Sequence, residues 1–229
     1  MTGRRSLRRL LADRSGVAMV EFALGAPFLL VAGLWGIETA NFAVTNMKIG
    51  QLAVHIADNG SRIGDTSTLQ NRRIFEEDVN DLLLGANIQG GPSLDLYEHG
   101  RVVMTSVEVW DQSNHKSQAK SDGVQFAHWQ RCKGVLVHGS DYANENQALP
   151  DGIGPVGEEV EASVDTPVIF VEVFYEYQPL VSSLFIGNTI IKSHAAFAVR
   201  DDRDLEDVFK RNSSTPIADC KNFDTFPAT

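Results

Sequence analysis

Residues 17–37 read VAMVEFALGAPFLLVAGLWGI, an apolar run of 21 residues that a single acid, Glu21, interrupts. As an α-helix this run would be about 31 Å long, which matches the hydrocarbon core of about 30 Å in a typical bilayer. A secretory signal would have a shorter apolar region that ends at a small-residue cleavage site, and this run has no such end. The stretch therefore predicts a transmembrane helix.

The charges before this helix predict its orientation. One aspartate and five arginines precede Gly16, and the arginines are Arg4, Arg5, Arg8, Arg9 and Arg14. An excess of basic residues beside an apolar span marks the cytoplasmic side of a membrane. We therefore expect a single pass through a membrane, with the N-terminus in the cytoplasm and the remaining chain outside the cytoplasm.

The rest of the chain is acidic. Without residues 1–16 it has 15 basic and 29 acidic residues, a net charge of −14. Proteins bind nucleic acids and anionic lipid surfaces through an excess of lysine and arginine. In this part of the chain, acidic residues outnumber basic ones instead. The composition argues against nucleic acid as a direct partner and favours proteins.

The stem helix is predicted to continue past the membrane. Between Glu38 and Asp58 there is no proline and only one glycine, and apolar residues recur at helical spacing. These are Phe42, Ile49, Leu52, Ala53 and Ile56. One helix over residues 17–60 follows from this pattern, and a second amphipathic pattern predicts a helix over 68–84 that ends at Gly85.

Beyond the helices the sequence predicts strands. Runs rich in β-branched and aromatic residues cover 102–110, 124–129, 135–138, 168–177 and 186–199. The stretch 139–166 is rich in Gly, Pro and acids, which predicts a surface loop. We expect an α+β fold, in which a long N-terminal transmembrane helix continues into an extracytoplasmic domain, 61–200, with an antiparallel sheet. A tail that is loosely ordered, or tied back by a disulfide through Cys220, would follow over 201–229.

The two cysteines are predicted to form a disulfide. Cys132 and Cys220 both lie on the expected oxidising side of the membrane, 88 residues apart. A loop of that length would stabilise the fold by at most about 4–5 kcal/mol in the chain-entropy model. The alternative is two unpaired thiols. No Cys-x-x-Cys or histidine pair accompanies either cysteine to indicate zinc.

The stretch from Gly16 to Leu24, GVAMVEFAL, followed by Pro27, resembles the TadE-like pseudopilins of tight-adherence (Tad) pilus systems. In that family a prepilin peptidase cuts after a glycine and leaves a glutamate at the fifth mature position, followed by an aromatic residue. The resemblance implies cleavage between Gly16 and Val17, with Glu21 fifth and Phe22 sixth. A second stretch, YEYQP at 175–179, is similar to a strand end of such proteins.

The position of Glu21 has a physical rationale. A carboxylate in a membrane helix costs about 2.5–3.5 kcal/mol at the helix centre, and less near an end, so it usually has a partner. Cleavage would create an α-amine at Val17, and pairing of that amine with Glu21 of another subunit would set the register between stems. The alternative is an acid near the interface that extends to water.

Other motifs do not predict a site. The glycines of GIGPVG at 152–157 match a dinucleotide fingerprint, but no strand precedes them and three glutamates follow. The histidines show no metal-binding spacing and are interpreted as ordinary surface or strand residues; they are His55, His99, His115, His128, His138 and His194. We predict no cofactor and no metal, while a metal site assembled only in three dimensions stays open. No stretch fits the Asp-x-Ser-x-Ser motif of a von Willebrand type A domain.

The leading hypothesis is a structural protein, not an enzyme. A TadE-like minor pilin would be processed by a prepilin peptidase and would take part in Tad pilus assembly and adhesion. Its partners would be the membrane, the peptidase, other pilins or pseudopilins and pilus assembly proteins. The alternatives are an uncleaved, single-span binding domain outside the cytoplasm and, third, an extracytoplasmic enzyme.

Overall fold

The computed structural model describes residues 16–64, 72–112, 115 and 122–226. The arginine-rich leader and the predicted start of the second helix at Thr68 lie outside these residues. The elements in the described part are α1 (Val17–Gly60), α2 (Glu76–Gly90), α3 (Leu96–His99), β1 (Gly100–Val109), β2 (Gln125–Lys133), β3 (Val168–Glu176), α4 (Ser183–Ile186) and β4 (Ile190–Ala198). The prediction of a mixed α+β fold with a long N-terminal helix and an antiparallel sheet is confirmed.

Helix α1 is long and apolar enough to cross a membrane, and it lies near the N-terminus. It passes through Pro27 without a break in its assignment and ends at Gly60, as the sequence predicts. The chain divides into two compact units within this helix. The stem unit consists of residues 16–43 and 179–187, and the sheet unit consists of the other described residues.

The sheet has the strand order β2-β1-β3-β4, and all neighbouring strands are antiparallel. The predicted strand 135–138 is wrong, because the Val135 N–H donates to the carbonyl of Tyr97 at 2.9 Å and the segment joins no ladder. The predicted strand 186–199 starts only at Ile190, since Gly187 (φ 72°) ends α4.

The predicted second helix is displaced along the chain. Helix α2 begins after Phe75, whose N–H donates to the Asp78 carboxylate at 3.3 Å. The sequence suggested that Gly85 would end the helix, but the helix continues through this residue. The helix ends at Gly90 instead, and in Gly91, directly after it, φ is 71° and the N–H donates to the Asn87 carbonyl. A left-handed residue at this position favours glycine, and it closes the last turn.

The C-terminal half of α1 packs on one face of the sheet. Ile49, Ala53 and Ala57 have no exposed surface. At Gly60 a Cβ atom would lie 3.1 Å from Ile169 Cγ2 and 3.3 Å from Met104 Sδ, so a larger residue would require these side chains to move by a few tenths of an ångström. The amphipathic pattern in residues 44–60 thus predicted the buried face correctly.

The segment 139–166 covers the opposite face of the sheet. It contributes Ala143, Leu149 and Ile153 to a buried cluster with Ala127 and Phe170. Its backbone bonds directly to the end of β2; the Leu149 N–H, for example, donates to the Gln125 carbonyl at 2.8 Å. The other residues of the segment are exposed or half-buried, and none belongs to a helix or strand. It is therefore an irregular surface segment, as predicted, that buries a few apolar side chains.

The C-terminal segment is held to the sheet as far as residue 226. Cys132 of β2 forms a disulfide with Cys220, as predicted. The buried guanidinium of Arg101 donates to the carbonyls of Cys220 at 2.6 Å and Asn222 at 3.0 Å, and the Phe223 ring lies 4.1 Å from its central carbon. The loosely ordered tail that its composition suggested is therefore not observed in these residues.

Candidate functional site

The residues of the predicted processing site lie at the start of α1. Gly16 forms a turn, and its carbonyl accepts a hydrogen bond from the Val20 N–H at 3.1 Å. The helix then begins at Val17, so Val17, Glu21 and Phe22 follow within its first two turns. All three side chains are exposed. The structure brings these residues together, and cleavage after Gly16 stays a prediction.

The first half of α1 exposes apolar side chains on every side. The most exposed are Met19 (74%), Phe22 (69%), Leu24 (68%), Phe28 (78%) and Leu29 (72%). Isolated exposed leucines are ordinary, but a continuous apolar surface of this kind indicates contact with lipid or with other protein. The surface is thus suited to a membrane or to a bundle of similar stems.

A buried carboxylate joins the stem helix to a second segment of the stem unit. Glu38 has no exposed surface. Its two oxygens accept hydrogen bonds from the backbone N–H groups of Leu180 at 3.2 Å, Val181 at 2.6 Å and Ser182 at 3.4 Å. Hydrogen bonds to a charged acceptor are the stronger class, so this contact holds residues 180–182 on the helix.

The segment held by Glu38 is itself apolar. Leu180 is 67% and Leu184 93% exposed. With Phe28 and Trp35 of α1, Leu184 and Phe185 line an apolar groove. Sequence analysis singled out neither Glu38 nor this segment. The available signal was an acid directly at the end of the apolar run, where a buried partner would be needed.

A second polar cluster lies in the sheet unit. One oxygen of Glu108, Oε2, is 3.0 Å from Nε2 of His115 and 3.0 Å from Nδ1 of His128. The other oxygen, Oε1, accepts a hydrogen bond from the Ser106 hydroxyl at 2.6 Å. The three titratable side chains are at most 5% exposed. They therefore form a polar site that solvent does not reach.

A β-bulge brings His128 to this site. Ser106 pairs with Trp129, and the next residue of β1, Val107, pairs with Ala127, so His128 is an extra residue in β2. An extra residue interrupts the alternation of side chains and re-aims the bulged residue. Sequence analysis interpreted His115 and His128 as ordinary surface or strand histidines, and the positions of bulges are not visible in a hydrophobic pattern.

The electrostatics of this cluster favour an ionised glutamate. Burial raises the pKa of Glu108, but the hydrogen bonds from His115 and His128, the charge of His128 and the Ser106 hydroxyl lower it more. The result is a pKa of about 2. Hydrogen bonds to a carboxylate stabilise its charged form, so Glu108 carries a full negative charge.

The nearby cation in the sheet unit is Arg203. Burial lowers its pKa to about 10, and the charge of Glu108 opposes this effect. Its Nη2 donates to the carbonyls of Gly60, Ser61 and Ile63, at 3.4, 3.3 and 2.8 Å. The guanidinium is therefore fixed by backbone carbonyls at the end of α1.

Another acid, Glu172 on β3, lies under segment 139–166. It accepts hydrogen bonds from the Ser140 hydroxyl and from the Asp141 N–H, the latter at 2.8 Å. Burial raises the pKa of Glu172 to about 7, since it outweighs these bonds and the charge of Lys192. The negative charge of Asp141 adds to the rise.

The structure also bears on the rejected nucleotide motif. Gly152 and Gly154 lie in segment 139–166, where the Ile153 and Val160 backbones pair with each other. Residues 158–166 form no helix, so the arrangement that holds a pyrophosphate at a helix N-terminus is not present in that segment.

No family model, curated protein or solved structure matches this chain.

Proposed function

We propose that this protein is a TadE-like minor pilin or pseudopilin that takes part in Tad pilus assembly and adhesion. One observation carries the proposal: the apolar helix begins at Val17, directly after Gly16, and carries Glu21 within an exposed apolar surface. This arrangement suits a peptidase that cuts before a helix and a stem that associates with other stems.

The two units would have separate tasks in this proposal. The stem would anchor the protein in the inner membrane and later contact other pilins through the apolar surface of residues 17–37. The sheet unit would lie in the periplasm, where the Cys132–Cys220 disulfide persists. Its net negative charge favours protein partners over nucleic acid.

The first test is the N-terminal sequence of the protein from cell envelopes, with and without the prepilin peptidase of its host. We expect a start at Val17 that depends on the peptidase. A Gly16→Val variant should stay at full length, because a β-branched side chain replaces the glycine before the cut. An intact N-terminus in both strains would contradict the proposal and favour the permanently anchored binding domain.

The second test addresses Glu21. Glu21→Ala removes the carboxylate that would pair with the amine of a neighbouring Val17, so we expect normal membrane insertion but reduced piliation. Glu159→Ala, which removes an exposed acid of the sheet unit, serves as the matched control and should leave piliation unchanged. Normal piliation in the Glu21 variant would count against a role in subunit register.

A further inference from the structure

The buried cluster of Glu108, His115 and His128 has no role in the pilin proposal. Two imidazoles and one carboxylate are a common set of protein ligands for zinc. We propose that these three side chains bind a zinc ion through Oε2 of Glu108, Nε2 of His115 and Nδ1 of His128. This inference concerns the sheet unit alone and does not depend on pilus assembly.

The distances between the three ligand atoms fit a zinc site. All three atoms lie within 4.8 Å of one another, and Oε2 is 3.0 Å from each nitrogen. With zinc–ligand bonds of about 2.0–2.1 Å, neighbouring ligands of a tetrahedral ion are about 3.3–3.4 Å apart. A zinc ion can therefore take the place of the two hydrogens that lie between Oε2 and the two nitrogens. Each Oε2–nitrogen distance would then lengthen by a few tenths of an ångström.

The surrounding contacts are those that orient metal ligands. Nδ1 of His115 lies 3.2 Å from both the N–H and the carbonyl of Asp111. In the tautomer that donates from Nδ1 to this carbonyl, Nε2 is free to bind an ion. The Ser106 hydroxyl holds the second oxygen of Glu108 and leaves Oε2 toward the histidines. Metal-binding histidines usually donate their other N–H to a carbonyl or carboxylate, and ligating carboxylates are hydrogen-bonded in turn.

The packing also fixes the two rings. The His115 ring is 5.4 Å from the ring of Phe126 and 5.1 Å from that of His128, with edge-to-face geometry. The bulge in β2 places His128 beside Glu108 at the cost of one regular pair in the ladder. Bulges of this kind occur where a strand must re-aim a side chain toward a site.

Burial indicates that the ion has a structural role. Because the three ligand side chains are at most 5% exposed, a bound ion would have little contact with solvent or substrate among the described residues. The ligands come from β1, from the chain after β1 and from β2, so a bound ion would join three separate segments. The fourth position of a tetrahedral zinc would be taken by a small ligand such as water.

The charges select among metals. Calcium and magnesium prefer six or more oxygen ligands, whereas this site offers one carboxylate oxygen and two imidazoles. Arg203 shares the negative charge of Glu108 and opposes a dication. We therefore expect zinc to bind more weakly than in sites with several thiolates, and calcium not to bind.

The test uses the untagged full-length chain in detergent, freed of metal with a chelator and then titrated with zinc against a chromophoric competitor. We expect one equivalent of zinc per chain and no calcium. We also expect the melting temperature to rise by about 5–10 °C at zinc concentrations near 100 times the dissociation constant. Absence of zinc binding would overturn the proposal and leave a metal-free hydrogen-bond cluster.

Two variants separate a zinc site from a hydrogen-bond cluster. His115→Gln and His128→Asn place an amide N–H near the nitrogen that contacts Glu108, so a metal-free cluster would keep its bonds, while an amide is a poor zinc ligand. We expect both variants to fold and to lose at least 10-fold in zinc affinity. His55→Gln, at an exposed position of α1, is the matched control and should bind like the parent. Parental affinity in both cluster variants would overturn the assignment of ligands.

Discussion

The two halves of α1 differ in how their apolar residues are distributed and in what surrounds them. In residues 17–43 the large apolar side chains are mostly exposed, for example Phe28 at 78%, whereas Ile49 and Ala53 in the second half have no exposed surface. Apolar residues occur all round the first half and on one face of the second. A helix that is apolar all round needs an apolar environment, and one with a single apolar face needs only a sheet to cover it. The difference shows where the protein supplies its own partner for the helix and where it requires another.

The largest expected effect comes from placing the same charge in both halves. Ala53→Glu would bury a carboxylate among apolar side chains, and we expect it to destabilise the sheet unit by more than about 4 kcal/mol. Ala23→Glu lies on the exposed surface of the stem and should leave the sheet unit unchanged. It should instead impair membrane insertion by about 2.5–3.5 kcal/mol.

This pair can be measured by urea unfolding in detergent, followed by the fluorescence of Trp110 and Trp129, and by extraction of membranes at alkaline pH. Equal loss of stability in both variants would show that the first half is also packed against the protein's own residues. Such a result would remove the basis of the comparison.

A smaller effect is expected at the carboxylate that ties the stem to its second segment. Glu38→Ala removes the acceptor for the N–H groups of residues 180–182, which we expect to cost about 2–4 kcal/mol locally. Hydrogen exchange of these amides should become roughly 30-fold faster or more, while that of β3 stays the same. Glu38→Gln keeps one acceptor oxygen and should show a smaller increase. Unchanged exchange in both variants would show that apolar contacts alone hold the segment.

The smallest expected effect is a dependence of stability on pH, and it concerns the sheet unit alone. Because the pKa of Glu172 is raised from 4.5 to about 7, the folded state keeps a proton that the unfolded chain loses as pH rises from 4.5 to 7. Stability should therefore fall over this range, by at most about 3 kcal/mol, and then stay level with respect to this group.

Glu172→Gln provides the corresponding variant. It should flatten the dependence between pH 4.5 and 7 and be more stable than the parent at pH 8, because no charge has to be buried. Glu176→Gln, four residues further along β3 and less buried, is the control. A parental pH profile in Glu172→Gln would show that another group is responsible.

The parts of the fold that depend on periodicity were predictable. The apolar run and the pattern at Ile49 and Ala53 predicted α1 and its end, and the β-branched runs predicted both bounds of β1 and β3 to within two residues. The run predicted for β2 ended at 129, four residues before Lys133. The disulfide followed from the compartment that the arginines and the apolar helix indicated. These features depend on local composition, which a single sequence records directly.

The features that depend on contacts between distant residues were not predictable. The bulge at His128 becomes visible only in the pairing of two strands, so the cluster with Glu108 could not be assembled from spacing. Likewise, Glu38 finds its partners 142–144 residues away. The burial of Ala143, Leu149 and Ile153 within the loop 139–166 also depends on distant residues, such as Ala127 and Phe170, and the composition of the loop does not indicate it.

The attachment of the C-terminal segment has a consequence for the timing of folding. Early residues of the sheet unit are held by late ones. Arg72 and Phe75 form β-bridges with Arg203 and Phe209. Cys132 forms its disulfide with Cys220. Synthesis proceeds from the N-terminus at about 5–20 residues per second, so the earlier segments exist for several seconds before their partners are made. Completion of this unit therefore requires these later segments, and a chain interrupted before residue 203 would remain unfinished however much of its sheet had already been made.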